Sequence, residues 1–290
     1  MKIFALCLPI FLIVSHFGYS EAEKSALSFK DIYSKEEAAL IELLEADREK
    51  GVIEVEKVAN KLIKQFPDEI KAYELLYIFT EISADQESIM RAMKQLSSVQ
   101  SDDPEVSMLV AQASEQYVRM VTHTFPNMEK IIKELEGLPF PAAQIELKRI
   151  KSLLNKPIEM AFTATNGDEV DLAKMKGKVV LVDFWATWCG PCIAALPDIK
   201  KVYQEYKDKG FEVIGISLDE DKDSLSRFTK WSEMPWPQYF DGLGFDGNTW
   251  TLKFGVESIP TMWLVDKQGK LVDLFARSDL KEKVEKYLAQ

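Results

Sequence analysis

Eight residues, Trp185-Ala186-Thr187-Trp188-Cys189-Gly190-Pro191-Cys192, constrain this 290-residue chain more than any other stretch. They follow the apolar run Val179-Val180-Leu181-Val182 and precede a segment with helical spacing, so the order is buried strand, turn, dithiol, helix. With two residues between them, both sulfurs can close a small disulfide across the first helical turn, where backbone N–H groups favour the thiolate form of Cys189. Pro191 suits an early helical position, because the N–H it lacks would have no intrahelical acceptor there. Gly190 leaves the approach to sulfur unobstructed. Cys189 is therefore the expected attacking thiol, open to substrate, and Cys192, one turn in, its resolving partner.

A bare Cys-x-x-Cys is also half of a zinc site. Structural zinc takes four ligands, usually Cys or His. Beyond the pair, the chain offers only Cys7, His16 and His123. Cys7 and His16 lie in an N-terminal segment expected to be removed, which leaves too few partners for a metal and points to redox chemistry.

Val182-Asp183-Phe184-Trp185 running into that octapeptide resembles the active-site segment of the thioredoxin superfamily. Ile259-Pro260-Thr261 resembles the superfamily's cis-proline loop, and Asn166-Gly167-Asp168-Glu169-Val170-Asp171-Leu172 resembles the extra N-terminal hairpin of its TlpA-like, extracytoplasmic branch. The likeness covers residues 153 to 290. It implies an α/β thioredoxin-like fold with an N-terminal hairpin and an inserted helix and strand. It also implies a thiol-disulfide oxidoreductase that needs no bound cofactor or metal. Trp188, Gly190, Pro191, Ile259 and Pro260 would face substrate, with Ile259 offering main-chain N–H and C=O groups to an extended peptide.

Asp183 stands in an otherwise apolar strand, where an unpaired carboxylate would cost several kcal/mol if charged. Burial should raise its pKa. The resemblance assigns it a proton relay toward Cys192. One departure matters: the neighbouring strand in thioredoxins commonly carries a lysine facing this aspartate, and the aligned position here is Gly215.

The rest of the C-terminal half reads as a short hairpin over residues 155 to 178, a central strand over 179 to 184, and a helix to about Lys209 with Pro197 inside it. A strand follows from Phe211 to Leu218. The long stretch between Asp219 and Pro260 predicts an inserted helix near Ser224 to Trp231 and a strand after it; its Trp236, Tyr239 and Trp250 read as core of the insertion. A closing hairpin, Met262–Val265 with Lys270–Phe275, and a helix over Asp279 to Ala289 end the chain.

At the other end, Lys2, the apolar run Ile3 to Val14 and the exit Gly18-Tyr19-Ser20 have the layout of a secretory signal covering residues 1 to 20. The run is short of the roughly 20 residues that span a bilayer, and an uncleaved membrane anchor is the alternative. Cleavage would take the net charge from −11 to −12, since Lys2 is the one charged residue lost, and would leave Cys189 and Cys192 as the only cysteines. The expected location is therefore periplasmic or otherwise extracytoplasmic. A lone dithiol there is either a catalyst or is kept reduced by an electron donor in the membrane or beyond it. The acidic balance disfavours nucleic acid and anionic membrane as partners.

Residues 21 to 152 read as an all-helical domain. Apolar positions such as Val55, Val58, Ala59, Leu62 and Ile63 recur at helical spacing. Breaks are expected at Gly51, Phe66-Pro67-Asp68, Ser101 to Pro104, Phe125-Pro126-Asn127 and Gly137-Leu138-Pro139, giving six or seven helices. Pro67, Pro104 and Pro141 recur at equal intervals, a weak tetratricopeptide-like pattern that an ordinary bundle accounts for as well. His123 reads as a helix-end residue. No catalytic signature falls here, so this domain is expected to choose location or a protein partner.

The sequence reading is thus an exported oxidoreductase that reduces disulfides in protein substrates. Three rivals stand beside it: a disulfide donor or isomerase, a peroxidase, and a partner-binding protein with a vestigial dithiol. Asp183 stands where the peroxidase would need a proline.

Overall fold

The computed structural model describes residues 28–290 except Pro126. The expected signal segment, with Cys7 and His16, lies outside the described residues. The chain forms two compact units divided after Ser83.

The first unit holds three helices, α1 (Phe29–Ala46), α2 (Arg48–Gln65) and α3 (Ile70–Ile82). Ser28 and Asp31 cap α1 reciprocally, satisfying N–H groups that the first turn leaves without partners. The expected break at Gly51 is corrected: the chain turns at Asp47, whose side chain accepts the Lys50 N–H and caps α2. Gly51 is inside α2, and a Cβ there would lie 2.8 Å from the Leu44 Cα, so glycine serves close helix approach instead of a turn. Val55, Val58, Ala59 and Leu62 are buried as their spacing predicts, together with Leu76 and Phe79 of α3.

The second unit opens with α4 (Gln86–Ser97), α5 (Pro104–Thr124), α6 (Met128–Glu136) and α7 (Pro141–Leu153). Asp85, Asp103 and Asn127 accept first-turn N–H groups, and Pro104 and Pro141 occupy first-turn positions. The break before Asp85 carries neither Gly nor Pro, and the sequence reading missed it. Seven helices thus precede residue 154 among the described residues. The last of these helices ends at Leu153, and the first strand begins at Ala161. Compactness divides the chain elsewhere, and α4 to α7 belong to one unit with the strands. Past α7 the backbone joins the sheet directly, Asn155 N–H donating to Leu271 C=O at 2.7 Å and Leu271 N–H to Lys156 C=O at 2.9 Å.

The hairpin β1 (Ala161–Thr163) and β2 (Glu169–Asp171) pairs antiparallel around the Asn166-Gly167 turn. The main sheet contains β3 (Val179–Trp185), β4 (Phe211–Ser217), β5 (Gln238–Tyr239), β6 (Thr261–Val265) and β7 (Leu271–Asp273), in the order β5-β4-β3-β6-β7. The β3–β4 and β4–β5 pairs are parallel, and β6 runs antiparallel to both β3 and β7. Strand β3 is central and buried throughout, as expected for a strand with helices on both sides.

On one face, Val179, Leu181, Val213 and Leu264 pack with Leu196, Ile199 and Val202 of α8 (Gly190–Tyr206) and with Val284 of α12 (Leu280–Leu288). The opposite face carries Phe184 against Trp263, and Trp263 against Phe254. The insertion supplies α9 (Lys222–Trp231), β5, and two short helices that the sequence reading did not anticipate, α10 (Gly244–Gly247) and α11 (Thr249–Phe254). Trp236 and Trp250 are buried, as core. Among the described residues, no helix is long and apolar enough to cross a membrane.

Candidate active site

The dithiol sits where β3 turns into α8. Cys189 is the N-cap residue of α8, and its backbone is extended, which lets its side chain fold back over the first turn. There its Sγ accepts the Cys192 N–H at 3.2 Å. Cys189 and Cys192 form a disulfide with their Cα atoms 5.3 Å apart. The same N–H would stabilise a thiolate on Cys189 after reduction, aided by the positive end of the helix dipole.

One expectation is corrected here. Cys189 is not open to solvent: it is 5% exposed, close to the 2% of Cys192. Folding back to cap the helix buries its sulfur against Cys192, so the two cysteines differ by backbone position more than by exposure. Trp188, Gly190 and Pro191 around them are exposed.

Asp219 holds this loop. Its carboxylate accepts the Thr187 N–H at 3.0 Å, the Thr187 hydroxyl at 2.5 Å and the Ser217 hydroxyl at 2.8 Å. The turn before Cys189 is thereby tied to the end of β4. The sequence reading missed Asp219; an acidic residue ending a buried apolar strand was the available signal, the same one that flagged Asp183.

Asp183 is 1% exposed, and its Oδ1 has no hydrogen-bond partner among the described residues. It lies on the face of β3 that α8 covers, sharing that side with Leu181 and Trp185. Burial raises its pKa from 3.8 to about 7, while the Arg277 guanidinium pulls the other way. Across β4 its register partner is Gly215, as aligned from the sequence. The space above Gly215 is taken by Gln238, whose Oε1 accepts the Trp185 Nε1–H at 2.9 Å.

The Ile259–Pro260 bond is cis. The next residue, Thr261, pairs with Phe184 at the end of β3 that leads into the dithiol, so the sheet brings the cis-proline loop and the cysteines to one edge. Ile259 and Pro260 are half-buried. Arg277, exposed beyond β7, reaches over the dithiol turn with Nη2 3.5 Å from the Pro191 carbonyl. Nothing in the sequence pattern singled it out. Among the described residues no cluster of three or more His, Cys, Asp or Glu could hold a metal ion.

The strand that leads into the helix-capping dithiol carries a buried acid with its pKa raised to about 7, and the cis-proline loop follows the same sheet edge. Such a site can exchange a disulfide and move the accompanying proton. Residues 135–290 match the family model described as Redoxin. The thiol-disulfide oxidoreductase ResA of Bacillus thuringiensis subsp. konkukian is 35% identical over 126 residues, 43% of this chain and 70% of that protein. ResA of Bacillus subtilis is 28% identical over 125 residues, 43% of this chain and 67% of that protein. Among solved structures, the thioredoxin domain of a thiol-disulfide oxidoreductase from Bacteroides vulgatus is similar at 32% identity and a TM-score of 0.42, covering 47% of this chain and 99% of that one. The family model spans more than half of the chain, through the dithiol, the buried acid and the cis-proline loop, and this chain belongs to the Redoxin family, as a thiol-disulfide oxidoreductase.

Proposed function

We propose that this chain is exported and reduces disulfides in extracytoplasmic proteins, with Cys189 as nucleophile, Cys192 as resolving thiol and Asp183 as the group that accepts the Cys192 proton. The observation that carries this reading is the hydrogen bond from the Cys192 N–H to Cys189 Sγ at the start of α8, which favours the thiolate on Cys189 alone. In the forward reaction the Cys189 thiolate attacks one sulfur of the substrate disulfide. That S–S bond breaks, a mixed disulfide forms, and the leaving substrate thiolate takes a proton from water. Cys192 then loses its proton to Asp183 and attacks Cys189 Sγ, releasing the second substrate thiolate. The substrate gains two electrons and the chain is left as the Cys189–Cys192 disulfide.

Asp183 suits the proton step because its pKa of about 7 lies between those of an ordinary carboxylate and an ordinary thiol. Main-chain groups at Ile259 and Pro260 would hold the substrate extended beside the dithiol, with Trp188, Gly190 and Pro191 forming the exposed surface it meets. Resetting the cycle requires an external dithiol donor, membrane-bound or extracytoplasmic. The helices between Phe29 and Leu153 would select location or partner. The test is single-turnover reduction of a protein disulfide by the pre-reduced chain, together with its reduction potential. Release of substrate thiols and a potential nearer the roughly −270 mV of thioredoxin than the roughly −120 mV of a strong oxidant are expected. No thiol release would reject the reading, and an oxidising potential would reverse its direction.

A further inference from the structure

Beside the cis-proline loop lies a cavity of about 300 Å³ whose walls are α5 and α7 on one side and the loop with Ser258, Pro260 and Thr261 on the other. A peptide held along the edge at Pro260 would pass this lining. The aromatic ring of Phe275 forms part of the lining, with the His123 imidazole edge-on at 6.5 Å and the Arg149 guanidinium 5.9 Å above it.

The charges in this groove are unequally used. Arg149 is committed to Glu146 through two contacts, at 2.8 and 2.7 Å, which neutralises both. Arg119 and Arg277 are exposed, and neither forms an ion pair among the described residues. Arg119 sits four residues before His123 on the same face of α5. Packing around the His123 ring, together with Arg277 and Arg119, holds its pKa below the usual imidazole range. Two carboxylates, Glu115 and Glu257, also line the groove. Glu115 lies two turns back along α5 from His123, and the charges that His123 senses are both positive. This pole is next to the chemistry, since Arg277 also reaches the Pro191 carbonyl and acts on Asp183. Taken whole the lining is balanced, Arg119, Arg149 and Arg277 against Glu115, Glu146 and Glu257; its cationic part is the stretch around His123, which Arg277 joins to the dithiol turn.

We propose that this groove is a specificity site which takes an acidic residue of the polypeptide substrate, a few residues from the cysteine under attack, between Arg119 and Arg277. The proposal rests on the reading of the chain as a reductant of protein disulfides. The occupant is a polypeptide because the groove opens beside a loop able to pair with an extended main chain, and pairs of this kind are held by backbone bonds with side-chain pockets setting the choice. Charge complementarity then sets which side chain is preferred and how fast it is found.

The experiment uses the pre-reduced full chain and three disulfide-linked peptides, identical except for Glu, Gln or Lys three residues from the attacked cysteine, with glutathione disulfide as a small-molecule arm. The second-order exchange rate is read for each. The Glu peptide should react about fivefold faster than the Lys peptide, the size expected of an exposed ion pair. The difference should shrink as salt rises from about 0.01 to about 1 M and the screening length contracts from about 30 to about 3 Å. Arg119→Glu should invert the preference, and Arg119→Lys should retain it. Equal rates for the Glu and Lys peptides, or a preference unmoved by Arg119→Glu, would overturn the groove while leaving the reductant reading intact. Glutathione disulfide reacting faster than every peptide would overturn the polypeptide occupant. A reduced chain that reacts with none of the four would overturn the functional reading and the groove with it.

Discussion

Asp183 faces Gly215 across the β3–β4 register, so the strand beside the buried acid presents no side chain to it. The room that a residue at 215 would use is filled by Gln238, whose Oε1 would lie 2.1 Å from an added Cβ. Gln238 in turn binds Trp185, two residues along β3 from Asp183 on the same face. The acid is left with the Arg277 charge acting on it and with its pKa raised to about 7.

The first consequence concerns stability. The folded-state pKa of Asp183 is raised from 3.8 to about 7, so between those values the folded chain holds a proton that the unfolded chain has released. Stability therefore falls as pH rises from about 4 to about 7 and levels off above, by up to about 4 kcal/mol. In Asp183→Asn this loss should disappear. Denaturant unfolding of the oxidised protein across that range measures it, and an equal pH slope in the variant would show that Asp183 ionises freely.

Arg277 lowers the Asp183 pKa through its charge. Arg277→Gln should therefore raise it further, and the pH at which Cys192 resolves a mixed disulfide fastest should move to the alkaline side. Stopped-flow resolution rates between about pH 5 and 9 report the shift. A profile unchanged in position would show that solvent screens the guanidinium from the buried acid.

The cysteine order has its own test. Cys192→Ser should accumulate covalent complexes with substrate, because the mixed disulfide on Cys189 then has no resolving thiol. Cys189→Ser should trap almost none and lose activity. Non-reducing gels distinguish the outcomes, and equal trapping by both variants would remove the distinction between nucleophile and resolving thiol.

Asp219 offers a purely structural readout. Asp219→Ala leaves the Thr187 N–H and the Ser217 hydroxyl without their acceptor, inside a buried setting. A loss of about 3 kcal/mol is expected for charged hydrogen bonds of this kind, together with faster amide exchange through Thr187 to Cys189. A loss below about 1 kcal/mol would mean that water replaces the carboxylate.

Local pattern was enough for most of the elements and for the dithiol: the apolar run of β3, the Cys-x-x-Cys at a helix start and the caps at Asp103 and Pro104 are each written in neighbouring residues, while the cis-proline at Pro260 was legible through the family resemblance. Even the buried acid was legible, because a carboxylate inside an apolar strand is anomalous wherever it occurs. The helix break at Asp47 and the role of Gly51 were not, since only the approach of Leu44 shows that the glycine serves packing instead of a turn. Tertiary structure alone brought Asp219 to Thr187 and Arg277 to Pro191, and set Arg119, His123 and Phe275 beside the cis-proline loop. These contacts join residues far apart along the chain, and no periodicity in a sequence encodes which distant side chains a fold will bring within reach of one another.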